Sequence, residues 1–355
     1  MPAAAIPTFA DAIRAAAASG RRLRIRGGGT KDFYGQALDG EILDTRAYSG
    51  VVAYDPTELV ITVRGGTPLA EVEAVLAAKG QMLAFEPPHF GPAATIGGAV
   101  AAGLSGPRRA AAGGVRDFVL GVRVLDGRGQ DLAFGGRVMK NVAGYDVSRA
   151  MAGALGTLGV ILEVSLKVLP RPVAEATLKF AMAPDEAIEA MNRWAGKPLP
   201  ISATAHAEGN LRVRLSGASA AVAAACATLG GERASDGGAA LFWSSIREQT
   251  NRWFAGDEPL WRLALPSATP PLGLEGRELV EWGGAERWLR SRAGAPAIRA
   301  AAVRAGGHAT LFRGGDKTAG VFHPLAPAIA TIHRRLKTEF DPHGVLNRGR
   351  MYPEL

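Results

Sequence analysis

The sequence predicts an α+β protein with two domains. The chain has 355 residues, and at about 150 residues per domain this length corresponds to about two hydrophobic cores. Strand-like and helix-like segments alternate along the first half, and shorter strand and helix units follow Pro172. Short units of this kind are typical of a small α+β domain with an antiparallel sheet. We therefore place a domain boundary at Pro172.

The first elements are predicted from their start and stop signals. Thr8 opens a helix that ends at Gly20, because a hydroxyl residue favours a helix start and glycine a helix end. Leu59–Arg64 reads as a strand that leads through two glycines into a second helix. In that helix Thr67 is the predicted N-cap and Pro68 occupies the first position. Strands and helices thus alternate from the beginning of the chain.

The segment Pro87–Gly114 is dense in glycine, alanine and proline. Such a composition allows either a disordered linker or a close-packed loop and helix. Ile96, Val100 and Leu104 recur at helical spacing, which favours the packed form. A β-hairpin follows, with its turn at Asp126–Gly129. Later units include a predicted helix over Pro184–Ala195, and the chain ends in a basic helix and a turn-rich tail.

Composition excludes several classes of protein. The 41 basic and 33 acidic residues give a net charge of +8, but the arginines are scattered, so we predict no nucleic-acid partner. The lone Cys226 lies in an alanine-rich helix pattern and is predicted to be a buried structural thiol. One cysteine allows no disulfide, which indicates the cytoplasm. No export signal and no transmembrane segment is expected.

Three glycine-rich segments predict a binding site for an extended ligand. The run Gly27–Gly29, followed by Thr30, comes directly after a strand, where successive N–H groups suit an anion. Ala94–Gly98 ("ATIGG") and Gly156–Ile161 ("GTLGVI") would let backbone approach a ligand from other sides. Neither a P-loop nor a Rossmann glycine motif is present. Taken together, the segments could enclose a dinucleotide.

Four motifs give the chain a specific resemblance. "RGGGTKDFYG", "PHFGPAATIGGAVAAGLSGPRR", "GGVRDFVLGVRVLDGRG" and "KNVAGYDVSRAMAGALGTLGVILEVSLKVLPRP" resemble the FAD-binding (PCMH-type) domain of the vanillyl-alcohol-oxidase family, in its branch of flavin 2-hydroxy-acid dehydrogenases. They occur in order over nearly all of residues 20–172. The resemblance implies an FAD-binding domain of two α+β subdomains over 1–172, a smaller α+β antiparallel-sheet cap domain over 173–335, and a tail, 336–355, that returns to the FAD domain.

The resemblance also implies the residues that bind FAD. Arg26–Asp32 would contact the pyrophosphate, and Ala94–Gly98 with Ser105 and Gly106 would follow the pyrophosphate, ribityl chain and flavin. The predicted FAD-binding residues are Arg26, Gly27, Gly28, Gly29, Thr30, Lys31, Asp32, Ala94, Thr95, Ile96, Gly97, Gly98, Ser105, Gly106, Gly114, Val115, Arg116, Asp117, Gly159, Val160, Ile161 and Arg350.

Some of these positions have a structural alternative. Gly114–Asp117 would close the site; the alternatives are that Gly114 is only a turn residue and Asp117 only a helix cap or core ion pair. The segment 159–161 would meet the adenine through its backbone. Tyr145 and Asp146 are expected to be buried packing and hydrogen-bonding residues rather than ligands.

Departures from the family pattern are informative. Members that bind FAD covalently often carry histidine in the glycine loop, and Thr30 stands there, so noncovalent FAD is predicted. The family's metal motif corresponds here to His308 followed by Gly315, with no Glu-His pair elsewhere, so no metal is predicted. Arg350 is expected beside flavin N1, where its charge would stabilise the reduced flavin. Arg348 replaces the usual proline.

Among family members, the motifs are most similar to FAD-binding subunits of glycolate oxidase complexes. This implies a chain that oxidises glycolate to glyoxylate or relays its electrons, working with a D-like flavin subunit and an iron–sulfur F-like subunit. The resemblance assigns no catalytic base. The alternatives are a noncatalytic scaffold subunit and a standalone FAD oxidase of another small 2-hydroxy acid. The predicted location is cytoplasmic, with peripheral attachment to the inner membrane through the complex left open.

Overall fold

The computed structural model describes residues 5–37, 39–136 and 146–355. The chain divides into two compact units. Unit 1 contains Met1–Leu104, Gly114–Pro170 and Pro324–Leu355, and unit 2 contains Ser105–Gly113 and Arg171–His323. Both units combine helices with mainly antiparallel sheets, so the predicted α+β class is confirmed.

The elements are numbered in chain order. The helices within the described ranges are α1 (Ala5–Ser19), α2 (Leu69–Ala77), α3 (Ile96–Ala102), α4 (Arg109–Ala112), α5 (Val115–Phe118), α6 (Val147–Ala150), α7 (Pro184–Ala195), α8 (Ser219–Leu229), α9 (Asp236–Arg247), α10 (Ala295–Arg304) and α11 (Pro327–Phe340). The strands are β1 (Leu23–Arg26), β2 (Glu41–Asp44), β3 (Val51–Asp55), β4 (Val60–Arg64), β5 (Gln81–Met82), β6 (Val119–Leu125), β7 (Asp131–Gly135), β8 (Val160–Lys167), β9 (Leu169–Pro170), β10 (Ala174–Ala181), β11 (Ile201–Ala207), β12 (Asn210–Gly217), β13 (Glu232–Arg233), β14 (Leu260–Ala264), β15 (Arg277–Glu281), β16 (Glu286–Arg290) and β17 (His308–Arg313).

Unit 1 contains a five-stranded antiparallel sheet in the order β3-β4-β8-β6-β7. A parallel pair, β1-β2, and an antiparallel pair, β5-β9, accompany it. Helix α1 buries Phe9 and Ile13 in a core shared with Val160 and Leu346. The C-terminal tail joins β1, where Leu23 N–H donates to the carbonyl of Val345 at 2.8 Å. This pairing brings the end of the chain next to the segment that follows β1.

Unit 2 is built on an eight-stranded sheet in the order β13-β10-β12-β11-β15-β16-β14-β17, and its neighbouring strands are antiparallel. Helices α7 and α8 pack on one part of it around buried Met191 and Val213. Helix α10 packs on another part around Ile298 and Leu311. The alternating apolar residues of these strands therefore face helices, as expected for a sheet with a covered face.

Several local predictions agree with the structure, and four need correction. Helix α1 begins at Ala5, so Thr8 lies inside the helix instead of opening it. Helix α7 has the predicted bounds, and β6 and β7 form the predicted hairpin. Pro68, not Thr67, stands at the N-cap of α2, because the Thr67 hydroxyl donates to the carbonyl of Arg64 at 2.7 Å. Cys226 is only partly buried. Asp146 is exposed rather than buried, because it caps α6 and pairs with Arg149.

Tyr145, the residue predicted alongside Asp146, lies outside the described residues. The predicted boundary at 335/336 falls inside α11; the domain limits drawn from the sequence stay predictions. In the part of the chain that the structure describes, no helix has the length and apolar character needed to cross a bilayer.

Candidate functional site

A glycine loop, Gly27–Thr30, follows β1 and lines a pocket in unit 1. A side chain at position 28 would place its Cβ 1.5 Å from the carbonyl oxygen of Ala93, so only glycine permits this approach. Gly29 has a φ of +72°. Within the described residues, the N–H groups of Gly28, Gly29 and Thr30 donate no hydrogen bond. Successive N–H groups without an acceptor form a concave nest that suits an anion.

Cationic side chains surround the glycine loop. Arg24 and Arg26 both donate to Oδ2 of Asp32, at 2.8 and 2.7 Å. The residues that line the pocket include four cationic ones, Arg24, Arg26, Lys31 and Arg350, and one acidic one, Asp32. This excess of positive charge suits a ligand that carries phosphate groups, since guanidinium groups bind phosphate oxygens strongly.

Arg350 fixes the segment that follows the glycine loop. Its guanidinium donates to the carbonyls of Gln36 at 2.6 Å, Lys31 at 3.2 Å and Asp32 at 3.0 Å. The residue is 7% exposed, and this burial lowers the pKa of Arg350 to about 10. Arg350 therefore remains charged at neutral pH, and its nearest polar partners are backbone carbonyls.

The start of α3 forms a second wall of the pocket. Thr95 caps this helix, and its hydroxyl oxygen accepts from Gly98 N–H at 3.2 Å. Gly97 N–H donates to the carbonyl of Gly65 at 2.9 Å. Because these N–H groups are already bonded inside the protein, this wall offers small surface for close approach rather than hydrogen-bond donors.

The segment that leads into β8 forms a third wall of the pocket. Asn347, in the C-terminal tail, links this segment to β1. Asn347 accepts from Ile25 N–H through Oδ1 at 2.8 Å and donates from Nδ2 to the carbonyl of Leu155 at 2.6 Å. One buried amide side chain thus links two walls of the pocket. The residues of this wall that line the pocket are Leu155, Gly156, Gly159 and Ile161.

The three walls border an open pocket with about 810 Å³ of empty volume, including space open to solvent. The predicted FAD-binding residues that line it are Arg26, Gly27, Gly28, Gly29, Thr30, Lys31, Asp32, Thr95, Gly97, Gly98, Gly159, Ile161 and Arg350. Ala94, Ile96 and Val160 are buried and do not line it.

The remaining predicted residues lie elsewhere. Ser105 and Gly106 belong to unit 2. Gly114–Asp117 lies at the start of α5 in unit 1 and does not line the pocket. There the carboxylate of Asp117 accepts from Gly114 N–H at 2.8 Å, so Asp117 caps the helix, as the alternative interpretation expected. A role for these residues in binding FAD stays a prediction.

Sequence reasoning missed part of the lining. Arg24 was detectable, because side chains two positions apart on a strand share one face, and Arg26 was already a candidate. Asn347 carried no signal, since its partners are distant in sequence. The missed lining residues are Arg24, Ile25, Thr45, Ala101, Ala102, Leu155 and Asn347. Gly156, which also lines the pocket, belongs to the predicted segment Gly156–Ile161.

Unit 2 holds a pair of neighbouring histidines. The rings of His308 and His323 lie 6.2 Å apart between centroids. His308 stays partly accessible to solvent; partial desolvation lowers its pKa, and the charges of Arg262 and His323 lower it further. Across the described ranges, no cluster of three or more His, Cys, Asp or Glu side chains could hold a metal ion.

Comparisons with known proteins show what the chain is similar to. The family described as "FAD binding domain" matches residues 4–135. The chain is 50% identical to "Glycolate oxidase subunit GlcE" of Escherichia coli K12, over 94% of this chain and 93% of that protein. It is 31% identical to "Glycolate oxidase subunit GlcD" of Bacillus subtilis, over 39% of this chain and 29% of that protein.

The fold is similar to that of a solved structure of alkyldihydroxyacetonephosphate synthase. The TM-score is 0.67 at 14% identity, and the match covers 96% of this chain and 74% of that one. At this identity the likeness concerns the fold alone.

Proposed function

The chain belongs to the family of FAD-binding oxidoreductase subunits that includes the E. coli glycolate oxidase subunit GlcE, and from this premise we propose that it is the FAD-binding E-type subunit of a glycolate oxidase complex. Its proposed partners are a D-like flavin subunit and an iron–sulfur F-like subunit. The proposed location is cytoplasmic, with attachment to the inner membrane only through the complex.

The observation that carries this proposal is the pocket of unit 1. Its N–H groups at positions 28–30 have no acceptor among the described residues, and four cationic side chains accompany one carboxylate. This donor set fits the diphosphate of FAD. Arg26–Asp32 would hold the diphosphate, and the segments 95–98 and 159–161 would border the rest of the cofactor.

We further propose that FAD is bound noncovalently. Thr30 occupies the loop position where covalent relatives often carry histidine. No pocket-lining side chain in the described part of the chain is a histidine or cysteine. Acid precipitation should therefore release the flavin into the supernatant. Flavin that stays with the precipitated polypeptide would contradict this proposal.

When bound, FAD supplies the electron acceptor for oxidation of a 2-hydroxy acid such as glycolate. What this chain's own residues do is bind and orient the cofactor: Arg350 and Asn347 hold the loop and the walls in place. A relay role, in which this chain passes on electrons taken from glycolate by the D-like subunit, is supported by the departure of 308–315 from the family's metal motif.

One experiment separates these roles. The chain is purified alone and with its proposed partners, its flavin spectrum is recorded, and glycolate is added anaerobically. Bleaching of the flavin without any partner indicates direct oxidation, whereas bleaching in the complex that exceeds the bleaching of the D-like subunit alone indicates a relay. A chain that binds no FAD under either condition would favour the scaffold alternative and contradict the proposed function.

A further inference from the structure

The ammonium group of Lys337 is buried at the C-terminal end of α11. Lys337 is 7% exposed, and its Nζ donates to the carbonyl of Thr157 at 2.8 Å, to Asp341 Oδ2 at 2.7 Å and to the carbonyl of Leu346 at 2.8 Å. Only a protonated ammonium has three N–H donors, so these contacts favour the charged form although burial lowers the pKa of Lys337. All three donors are therefore used inside unit 1.

One of the three acceptors belongs to the third wall of the pocket. Thr157 lies between Gly156 and Gly159, which both line the pocket, but Thr157 itself does not line it. The hydroxyl and the N–H of Thr157 both donate to the carbonyl of Ala154, at 2.7 and 2.9 Å, so the chain turns tightly here. The bond from Lys337 joins this turn to α11.

The other two acceptors belong to the C-terminal tail. Besides the bond from Lys337, the carboxylate of Asp341 accepts from the N–H groups of Val345 at 3.1 Å and Leu346 at 2.8 Å, and these bonds hold the loop that follows α11. Leu346 directly precedes Asn347, whose side chain links β1 to the third wall. The ammonium group therefore lies at the point where the tail meets the third wall.

Loss of this ammonium would leave the third wall without part of its support. The carbonyls of Thr157 and Leu346 and the carboxylate of Asp341 would lose their shared donor, and buried acceptors without a donor are costly. The wall would then shift toward water or another donor. Because a binding site must hold its residues within about 0.5 Å of the productive position, a small shift of Gly156 and Gly159 is enough to weaken binding.

We propose that Lys337 is the positioning residue of the third wall, which through Thr157 holds the backbone of residues 156–161 where FAD binding requires it. This inference rests on the proposed function, because FAD is the ligand whose affinity Lys337 would set. Since Lys337 does not line the pocket, its effect on FAD is indirect.

The test compares the FAD affinity of the purified full chain with that of Lys337→Met, by fluorescence titration well below the unfolding temperature. Methionine keeps the length of the apolar stem and removes the three donors. We expect the affinity for FAD to fall by at least about tenfold. The matched control is Lys179→Met, which removes an ion pair with Glu232 at the surface of unit 2 and should bind FAD as the wild type does.

A second control separates positioning from a general loss of stability. Ile61→Ala removes buried volume from β4 in unit 1 and alters no residue that lines the pocket, so it should destabilise the unit without moving the third wall. We expect Ile61→Ala to keep the wild-type affinity for FAD. An equal loss of affinity in Ile61→Ala and Lys337→Met would make Lys337 a structural residue and overturn the proposal.

Chemical restoration of the ammonium gives a further measurement. In a Cys226→Ser background, Lys337→Cys is alkylated with 2-bromoethylamine in urea and refolded, which gives a side chain of the length of lysine that ends in an ammonium group. FAD affinity should return toward the wild-type value, whereas alkylation with iodoacetamide, which adds no ammonium, should not restore it. Recovery of stability without recovery of FAD affinity would also overturn the proposal.

A double variant covers the case in which Lys337→Met does not fold. Lys337→Met with Asp341→Asn removes the unpaired carboxylate, and the asparagine keeps an acceptor for the N–H groups of the tail. FAD affinity should fall in this variant as well. Wild-type affinity in the variant that folds would overturn the positioning role and leave the proposed function intact, whereas a wild-type chain that binds no FAD would overturn both.

Discussion

Units 1 and 2 both bury arginine side chains, but the polar groups around them differ. In unit 2, Arg287 is fully buried and donates to the carbonyls of Gly284 at 2.8 Å and Thr269 at 2.6 Å, and pairs with Glu278. Its polar neighbours are thus satisfied within the unit. Around Arg350 in unit 1, the neighbouring glycine loop keeps N–H groups without an acceptor in the described residues.

This difference distinguishes a structural polar cluster from a ligand site. A fold normally pairs its buried polar groups, because an unsatisfied one costs about 1–3 kcal/mol. Gly28, Gly29 and Thr30 are only half-buried at the wall of the pocket, so their N–H groups are free to bind a ligand or water. Substitutions at the pocket of unit 1 should therefore weaken cofactor binding, whereas substitution of Arg287 in unit 2 should change stability without changing cofactor binding.

The largest effect is expected for Gly28→Ala. The added Cβ would lie 1.5 Å from the carbonyl oxygen of Ala93, so the glycine loop must move away from α3. We expect loss of bound FAD and a decrease of about 4 kcal/mol or more in the free energy of unfolding. Flavin absorbance per chain and urea unfolding measure these two quantities.

Gly237→Ala is the matched control for this change. Position 237 lies in α9, its added Cβ would meet no atom within 4 Å, and its φ is not positive. Stability and FAD content should be unchanged or slightly higher, since alanine favours helix. Stoichiometric FAD in Gly28→Ala would contradict the proposed role of the loop.

Arg287→Met should decrease the stability of unit 2 by about 3 kcal/mol, because it leaves Glu278 and two carbonyls without their cation. FAD affinity, measured well below the unfolding temperature by fluorescence titration, should stay that of the wild type. Arg304→Met, at an exposed position of α10, is the control. A variant that loses FAD while still folded would break the comparison between the units.

Arg350→Ala should act in the opposite way, on the cofactor. Without hydrogen bonds to the carbonyls of Lys31, Asp32 and Gln36, the loop loses its support. We expect FAD affinity to fall by about tenfold or more. Arg348→Ala, two residues earlier and exposed, should bind FAD normally.

The same variant tests the position predicted from the sequence. If Arg350 lies beside flavin N1, the reduction potential of the FAD-saturated variant should fall, because the reduced anionic flavin loses a nearby cation. Potentiometric titration measures this. If the variant binds FAD more weakly but the reduction potential is unchanged, Arg350 holds the loop and does not lie beside flavin N1.

The sequence predicted what depends on local patterns. Helix α7 and the β6–β7 hairpin follow from start signals and turn residues, and the glycine loop follows from a strand that ends in glycines. The third pocket wall could not be predicted this way, since the bond from Ile25 N–H to Asn347 joins residues 322 positions apart. Asp117 shows the opposite case. Its carboxylate already accepts a local hydrogen bond from Gly114 N–H, and this bond competes with any contact to a distant part of the site.

The smallest effect concerns the acid stability of unit 2. Because partial desolvation and Arg262 lower the pKa of His308 below its ordinary 6.5, folding favours the neutral ring. Its stabilising contribution is complete above pH 6.5 and is lost as the pH falls through the folded-state pKa. His308→Asn should therefore show a smaller drop in Tm between about pH 7.5 and about pH 5 than the wild type. The control is His343→Asn, at an exposed position of the tail, which should show the same drop in Tm as the wild type. If His308→Asn also shows the wild-type drop in Tm, His308 does not contribute to the pH dependence of stability.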